Sequence, residues 1–174
     1  MSSFDPDVTE MPISQYIAGM REMIGTRMIM MPAVSAIIIN ESGEVLLHRS
    51  KDDGKWYVIG GAPDPGEDLA DAAVREALEE TGLVVVPERL IGVYTDPPVR
   101  YGNGDEVRYV AAAFRCRPVD GNAKVADDES LEVRYFSPDA LPELQETHRL
   151  RIEHALSTEE RAYYAWDESW LKNL

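Results

Sequence analysis

Residues 61–83 read GAPDPGEDLADAAVREALEETGL. The stretch opens as an irregular loop, because Gly60, Gly61, Pro63, Pro65 and Gly66 crowd together residues that interrupt regular structure. A helix is then expected over 69–81. Asp68 stands where a side chain caps the first free amides, Asp71 follows in the first turn, and Gly82 suits the left-handed residue that ends a helix.

At 3.6 residues per turn, Glu76, Glu79 and Glu80 fall within about a quarter of the helix circumference, so three carboxylates share one patch. Ala70, Val74, Ala77, Leu78 and Thr81 form a mostly apolar stripe expected to pack on a sheet. Like charges at these spacings cost roughly 0.2–0.5 kcal/mol per pair on an exposed helix, and a divalent cation removes that cost. Hard carboxylate oxygens suit Mg2+ or Mn2+, whereas the sequence has no Cys/His cluster for zinc. Arg75, four residues before Glu79, can pair with a carboxylate and fix its orientation, with Glu67 as its own anchor. Gly60 and Gly61 let the backbone approach a ligand closely and present a carbonyl oxygen. A lone Glu-Glu pair is usually a solvated helix face; here the complete string carries the argument.

That string resembles the Nudix box, G-x5-E-x7-R-E-U-x-E-E-x-G-U with U apolar. Gly61, Glu67, Arg75, Glu76, Glu79, Glu80 and Gly82 all match at the required spacing. At about 7% per fixed position, chance would produce this on the order of once in a million such chains. The resemblance extends over about 28–140 and implies an α/β fold, a Nudix-type α/β/α sandwich with a mixed β-sheet. It also implies Mg2+-dependent hydrolysis of a nucleoside diphosphate linked to another moiety, with the metal held by Glu76, Glu79, Glu80 and the Gly60 carbonyl. Ile59 departs from the proline common in relatives, and Ala77 is small for an apolar U position.

Outside the box, 13–24 carries Ile13, Tyr16, Ile17, Met20, Met23 and Ile24 on one helical face, so an N-terminal helix within 12–25 is expected to lid the core. Residues 28–39 and 45–47, separated by Asn40-Glu41-Ser42-Gly43, read as a β-hairpin. Further strands are expected near 56–59, 84–86, 90–95, 107–117 and 131–136. Thr147 opens a helical segment, and Ser157 with Glu160 makes a capping-box signature for a last helix, placing C-terminal helices over 145–174. Tyr163, Tyr164, Trp166 and Trp170 on that last helix suit core packing, with a homodimer contact as the alternative. The whole of 1–174 is read as one domain with a flexible start at 1–10.

A formal net charge of −15 repels nucleic-acid backbones and anionic membranes, so an anionic substrate has to meet cations at the site. The start of the chain lacks signal-peptide character, and the apolar run at 28–39 is too short to span a bilayer. The single cysteine, Cys116, is expected in a buried strand, and a cytoplasmic setting is expected. The partner is therefore read as a small nucleotide rather than a nucleic acid or a membrane.

Within the expected site, Glu76 is the first choice for the base that deprotonates water and Glu129, in Asp127-Asp128-Glu129, the second. Arg100 and Tyr101 are candidates to grip a phosphate and stack a base. Nearby markers conflict: Pro98 resembles those of ADP-ribose hydrolases, Tyr101 those of dinucleoside polyphosphate hydrolases. Nucleoside triphosphate hydrolysis, nucleotide sensing without turnover and structural cation binding remain the rival readings. His48 and His148 are expected to be structural or at the surface, and His154 on the helix surface.

Overall fold

The first strand, β1 (Ile29–Ile38), is rich in β-branched and small residues, and its side chains alternate between two interiors. In this computed structural model, which describes residues 15–173, Val34, Ala36 and Ile38 enter one core while Ile37 and Ile39 enter the other. Burial on both faces is why the run reads as almost continuously apolar. β1 pairs in parallel with β6 (Glu106–Gly121), which pairs antiparallel with β4 (Leu83–Thr95); β4 runs parallel to β8 (Tyr163–Tyr164), and short β5 (Val99–Arg100) joins β6. A smaller antiparallel sheet is ordered β3 (Trp56–Tyr57), β2 (Val45–Ser50), β7 (Ser130–Phe136).

On one side, α2 (Leu69–Thr81) buries Ala72, Ala73 and Ala77 against Val34, Ala36, Ile38 and Leu83. On the other, α3 (Glu146–Leu156) buries Ile152 and Ala155 against Ile37, Ile91 and Tyr94. Helix, mixed sheet and helix make the expected α/β/α sandwich. Cys116 lies on β6 in the first core, fully buried, and burial pushes its thiol up to about 12. No helix among the described residues is long and apolar enough to cross a membrane.

β1 is an edge of the larger sheet, and Pro32 sits on it without breaking the pairing to β6. At the same outer edge, the Val34 and Ala36 amides donate to Gly61 and Ile59 carbonyls, 2.8 Å each, where Pro32 has no N–H to offer. The glycine loop is thereby fastened alongside the strand.

Several expectations fail, each for a physical reason. The 28–47 hairpin survives only as the Ile39–Val45 bridge and an Asn40-centred turn, because β1 and β2 part into different sheets. The strands expected at 84–86 and 90–95 are one strand, since bulges around Pro87–Arg89 and Leu90–Gly92 keep it paired with β6. The N-terminal helix, α1 (Gln15–Ile24), buries no residue, and Tyr16 and Met23 are exposed, so it does not lid the core. Arg21 ties it down through the carbonyls of Gly25, Arg27 and Glu106 and an ion pair with Asp105. Ile13 and the tail over 1–10 lie outside the described residues.

The last helix over 157–174 is also absent. Ser157 ends α3 instead of capping a new helix, and its hydroxyl accepts the Glu159 amide. The chain then forms β8 and a 3-10 turn over Glu168–Asn173. Tyr163 stacks with Tyr94, but Tyr164, Trp166 and Trp170 are exposed rather than in the core.

Candidate active site

The box helix runs over Leu69–Thr81 as expected, and Gly82 closes it at φ 70° with its amide donating to Leu78 O. Asp68 occupies the cap position but makes no side-chain capping bond. The buried face comprises Ala72, Ala73, Ala77, Glu80 and Thr81, whereas Leu78 is exposed. The inward stripe is thus turned from the expected one by most of a right angle, toward the alanines and Glu80. Ala77, the small U residue, is fully buried, and its size allows close helix-to-sheet packing.

This rotation separates the three glutamates. Steps of about 100° per residue put Glu79 on the solvent side, Glu76 at the boundary and Glu80 inside. Glu79 has a side chain 56% exposed, Glu76 14%, and Glu80 9%. They do not form one open patch: among the described residues, no three His, Cys, Asp or Glu side chains stand close enough to hold an ion as they are.

A guanidinium lies among the outer carboxylates. Arg75 Nη1 donates to Glu76 Oε1 at 2.8 Å and Glu79 Oε2 at 3.0 Å. Its Nε and Nη2 fork onto the two oxygens of Glu67, 2.9 Å each, and Nη2 also reaches Ala62 O. Glu67 in turn accepts the Asp64 amide, so the loop, the arginine and the helix are joined. The bond to Arg75 is the main reason the Glu67 carboxyl lies below its ordinary range.

The glycine loop sits directly above the inner carboxylates. A Cβ on Gly60 would stand 2.1 Å from Val34 O, and one on Gly61 would stand 2.4 Å from Glu76 Oε1. Gly60 N–H donates to Glu80 Oε1 at 3.2 Å. Among the described residues Glu80 Oε2 is buried without a hydrogen-bond partner, 3.6 Å from His48 Nδ1. Burial, then the neighbouring Glu76 charge, pushes the Glu80 carboxyl well up; burial also raises Glu76, against the pull of Arg75.

The far wall comes from β7 and the turn before it. Asp127 Oδ1 accepts the Glu129 and Ser130 amides, while Lys51 binds the Glu129 and Asp128 carbonyls. The Lys124 and Ala126 amides donate to the Thr81 and Glu80 carbonyls, satisfying the free end of α2. Glu129 is raised by burial and by Asp127 and Asp52, and the charges of Asp127 and Glu129 both act on Glu80. The structure therefore brings Glu129 to the acidic group.

Arg100 and Tyr101 are not brought there. Arg100 is exposed and faces Glu106, and the Tyr101 and Tyr109 hydroxyls bond at 2.7 Å. β5 pairs at Val107, which is in register with Ile29, five residues along β1 from Val34. At 3.3 Å per residue that is about 16 Å from the glycine loop.

A family model described as the NUDIX domain matches residues 30–156. The chain belongs to the Nudix hydrolase family. Among Nudix relatives it is similar to a putative 8-oxo-dGTP diphosphatase of Bacillus subtilis, 36% identical over 115 residues, covering 66% of this chain and 72% of the relative. It is likewise similar to an ADP-ribose pyrophosphatase of Methanocaldococcus jannaschii, 31% identical over 139 residues, 78% and 79% of the two chains. The crystal structure of a MutT Nudix hydrolase from Burkholderia pseudomallei superposes with TM-score 0.63 at 26% identity, covering 72% of this chain and 98% of that one.

The sequence did not show that His48 would stand beside Glu80 in this Nudix site. Its imidazole is half-buried beside Glu80, with Nδ1 3.0 Å from Ser130 Oγ, which makes it structural, one of the two places expected for it. The signal was strand alternation: Leu46 enters the α2-side core, so His48, two residues on, faces the same way. His148 is half-buried against Tyr57, and among the described residues its Nδ1 has no hydrogen-bond partner. His154, expected on the helix surface, instead bonds Tyr94 OH at 2.8 Å and packs on Tyr163.

Proposed function

We propose that this chain is a Mg2+- or Mn2+-dependent pyrophosphohydrolase that cleaves a phosphoanhydride in a nucleoside diphosphate linked to another moiety. The observation that carries it is Glu80 Oε2, a carboxylate oxygen buried without a partner beside the glycine loop and next to a second desolvated carboxylate. A desolvated oxygen-only site of this charge fits a hard dication, and nothing else at the site compensates Glu80 fully. Glu76, Glu79, Glu80 and the Gly60 carbonyl would hold it. Glu79 would reach this set by a rotamer change that releases its bond to Arg75 Nη1, its exposure leaving room for the move.

Bound by those residues, a dication would supply charge neutralisation of the phosphate oxygens and would orient water for in-line attack. Arg75 keeps Glu76 and Glu79 together and gives Glu76 a fixed orientation. Glu76 takes the proton from water, its carboxylate oriented by Arg75 beside the glycine loop. Glu129 is the second candidate, favoured by its own raised carboxyl. The ADP-ribose pyrophosphatase similarity supports a linked diphosphate as substrate, and the 8-oxo-dGTP diphosphatase similarity supports a nucleoside triphosphate as the alternative. A soluble cytoplasmic setting accords with the unpaired, buried Cys116.

A panel of ADP-ribose, other nucleoside diphosphate derivatives, dinucleoside polyphosphates and nucleoside triphosphates, assayed with Mg2+ and with chelator, tests the reading. Turnover of a linked diphosphate that stops on chelation is expected. Glu79→Gln is expected to fold normally and turn over at least 100-fold more slowly, since a neutral amide is a poor magnesium ligand. Equal rates for Glu79→Gln and wild type, or binding of nucleotides without turnover, overturn it.

A further inference from the structure

We infer that His48 is a positioning residue for the metal site: its Nδ1–H, hydrogen-bonded to Ser130 Oγ and held 3.6 Å from Glu80 Oε2, restrains the plane of the Glu80 carboxylate as a nearby dipole. This rests on reading Glu80 as a metal ligand.

Glu80 has two oxygens and one hydrogen bond. Gly60 N–H holds Oε1 at 3.2 Å, and Oε2 is enclosed without a partner. A carboxylate pinned at one oxygen can still twist, and a ligand that twists presents its lone pairs in variable directions. His48 Nδ1 is the polar atom facing Oε2, 3.6 Å away, with Ser130 Oγ at 3.0 Å on the same nitrogen. A proton on Nδ1 turns a positive dipole toward the enclosed Oε2, whereas a lone pair there would set the carboxylate against a second acceptor. With Oε1 anchored by Gly60 N–H and Oε2 facing that dipole beyond hydrogen-bond distance, both oxygens keep lone pairs for a cation, and neighbouring groups commonly orient metal ligands in this way.

The surroundings restrict the ring to this task. β2 and β7 hold His48 and Ser130 through main-chain pairing, with His48 opposite Val133. Ser130 is 1% exposed, and its amide is fixed by Asp127. Tyr57, across β2 from His48, packs against the imidazole with ring centroids 6.0 Å apart. The ring therefore cannot swing away without breaking the sheet packing. Burial favours the neutral imidazole, in which one nitrogen is a donor and the other an acceptor.

Two measurements on the full chain test this. In 15N-labelled wild type, imidazole 15N shifts report the tautomer; a proton on Nδ1 of His48 is expected, and an Nε2–H tautomer overturns the proposal. Mn2+ binding, followed by the electron paramagnetic resonance signal of free Mn2+, is compared for wild type, His48→Asn, His48→Phe and Glu80→Gln, with thermal midpoints as the folding check. Asparagine places its amide nitrogen where Nδ1 stands, so His48→Asn is expected within about threefold of wild type, whereas His48→Phe weakens Mn2+ by about 10- to 100-fold. Wild-type affinity in His48→Phe, or equal losses in both variants, overturns the inference while leaving Glu80 as a ligand. Undiminished binding in Glu80→Gln, or none in wild type, overturns the site reading and the inference with it.

Discussion

Replacing Glu80 with Gln is expected to stabilise the metal-free protein and to remove its response to metal. Glu80 is 7% exposed and receives one hydrogen bond, from Gly60, while its second oxygen has none. An unsatisfied buried polar group costs about 1–3 kcal/mol, and more when charged. The amide keeps the Gly60 bond and carries no charge, so a gain of about 2 kcal/mol is expected at pH 8 in chelator. For a chain of this size that is a midpoint rise of about 4–8 °C. The sign in pH follows from the raised carboxyl: the folded state holds the Glu80 proton more tightly than the unfolded state. Wild-type stability therefore falls as pH rises above the ordinary glutamate value near 4.5, and the advantage of Glu80→Gln shrinks as pH is lowered to 4.5. Excess Mg2+ reverses the order, adding about 2.7 kcal/mol to wild type at 100 times the dissociation constant and little to the variant. Differential scanning fluorimetry at pH 4.5 and 8, with Mg2+ and with chelator, reads all four states. A variant less stable than wild type at pH 8 in chelator refutes the reasoning, because Glu80 would then be a satisfied structural carboxylate.

The two glycines of the loop separate folding from function. A methyl on Gly61 meets the Glu76 side chain, which can move, so Gly61→Ala is expected to fold yet lose at least tenfold in kcat; a methyl on Gly60 meets the Val34 backbone, so Gly60→Ala is expected in the insoluble fraction. Asp96 accepts both bonds from Arg151 Nη2, at 2.7 and 2.8 Å, and Arg151 is 2% exposed. Asp96→Asn leaves that cation without its counter-ion and is expected to cost about 3–5 kcal/mol in urea denaturation. Burial, with Arg151 adding to it, lowers His148 to about 4. Its imidazole signals are expected not to titrate by NMR between pH 8 and 5, and up to about 3 kcal/mol of stability is lost as pH falls from 6.5 toward 4, because only the unfolded chain takes up that proton in this range.

The box was legible because its signals are local. Helix bounds at 69 and 81, the Gly82 stop and the Arg75–Glu67 anchor all depend on residues within fifteen positions of one another. What failed depended on distant partners. The 28–47 hairpin has the right turn chemistry, yet no feature within it says that β1 will pair with β6 and β2 with β7. The facing of α2 was misjudged because methyl groups decide it: Ala72 and Ala73 weigh little in a pattern of apolar side chains, but they fit where leucine does not. Ser157 and Glu160 met the rule for a helix start, and pairing of Tyr163 with Gly92 on β4 took the chain instead. Gly92 permits that approach, as a Cβ there would lie 2.6 Å from Tyr163 O.

The same rotation that hid Glu80 from a surface reading accounts for the site's chemistry. Three carboxylates on one exposed face would be individually well hydrated, and each would be a weak ligand that water competes for. Turning the helix places one outside, one at the boundary and one under the glycine loop, so their affinities for protons and cations are graded by burial rather than by sequence. Arg75 offsets the repulsion between the outer two, and its fork on Glu67 holds it in place when Glu79 departs. Among the described residues Glu80 has no such guanidinium, which makes it the carboxylate with most to gain from a cation. The order of the helix residues thus sets both where charge is tolerated without metal and where metal is required.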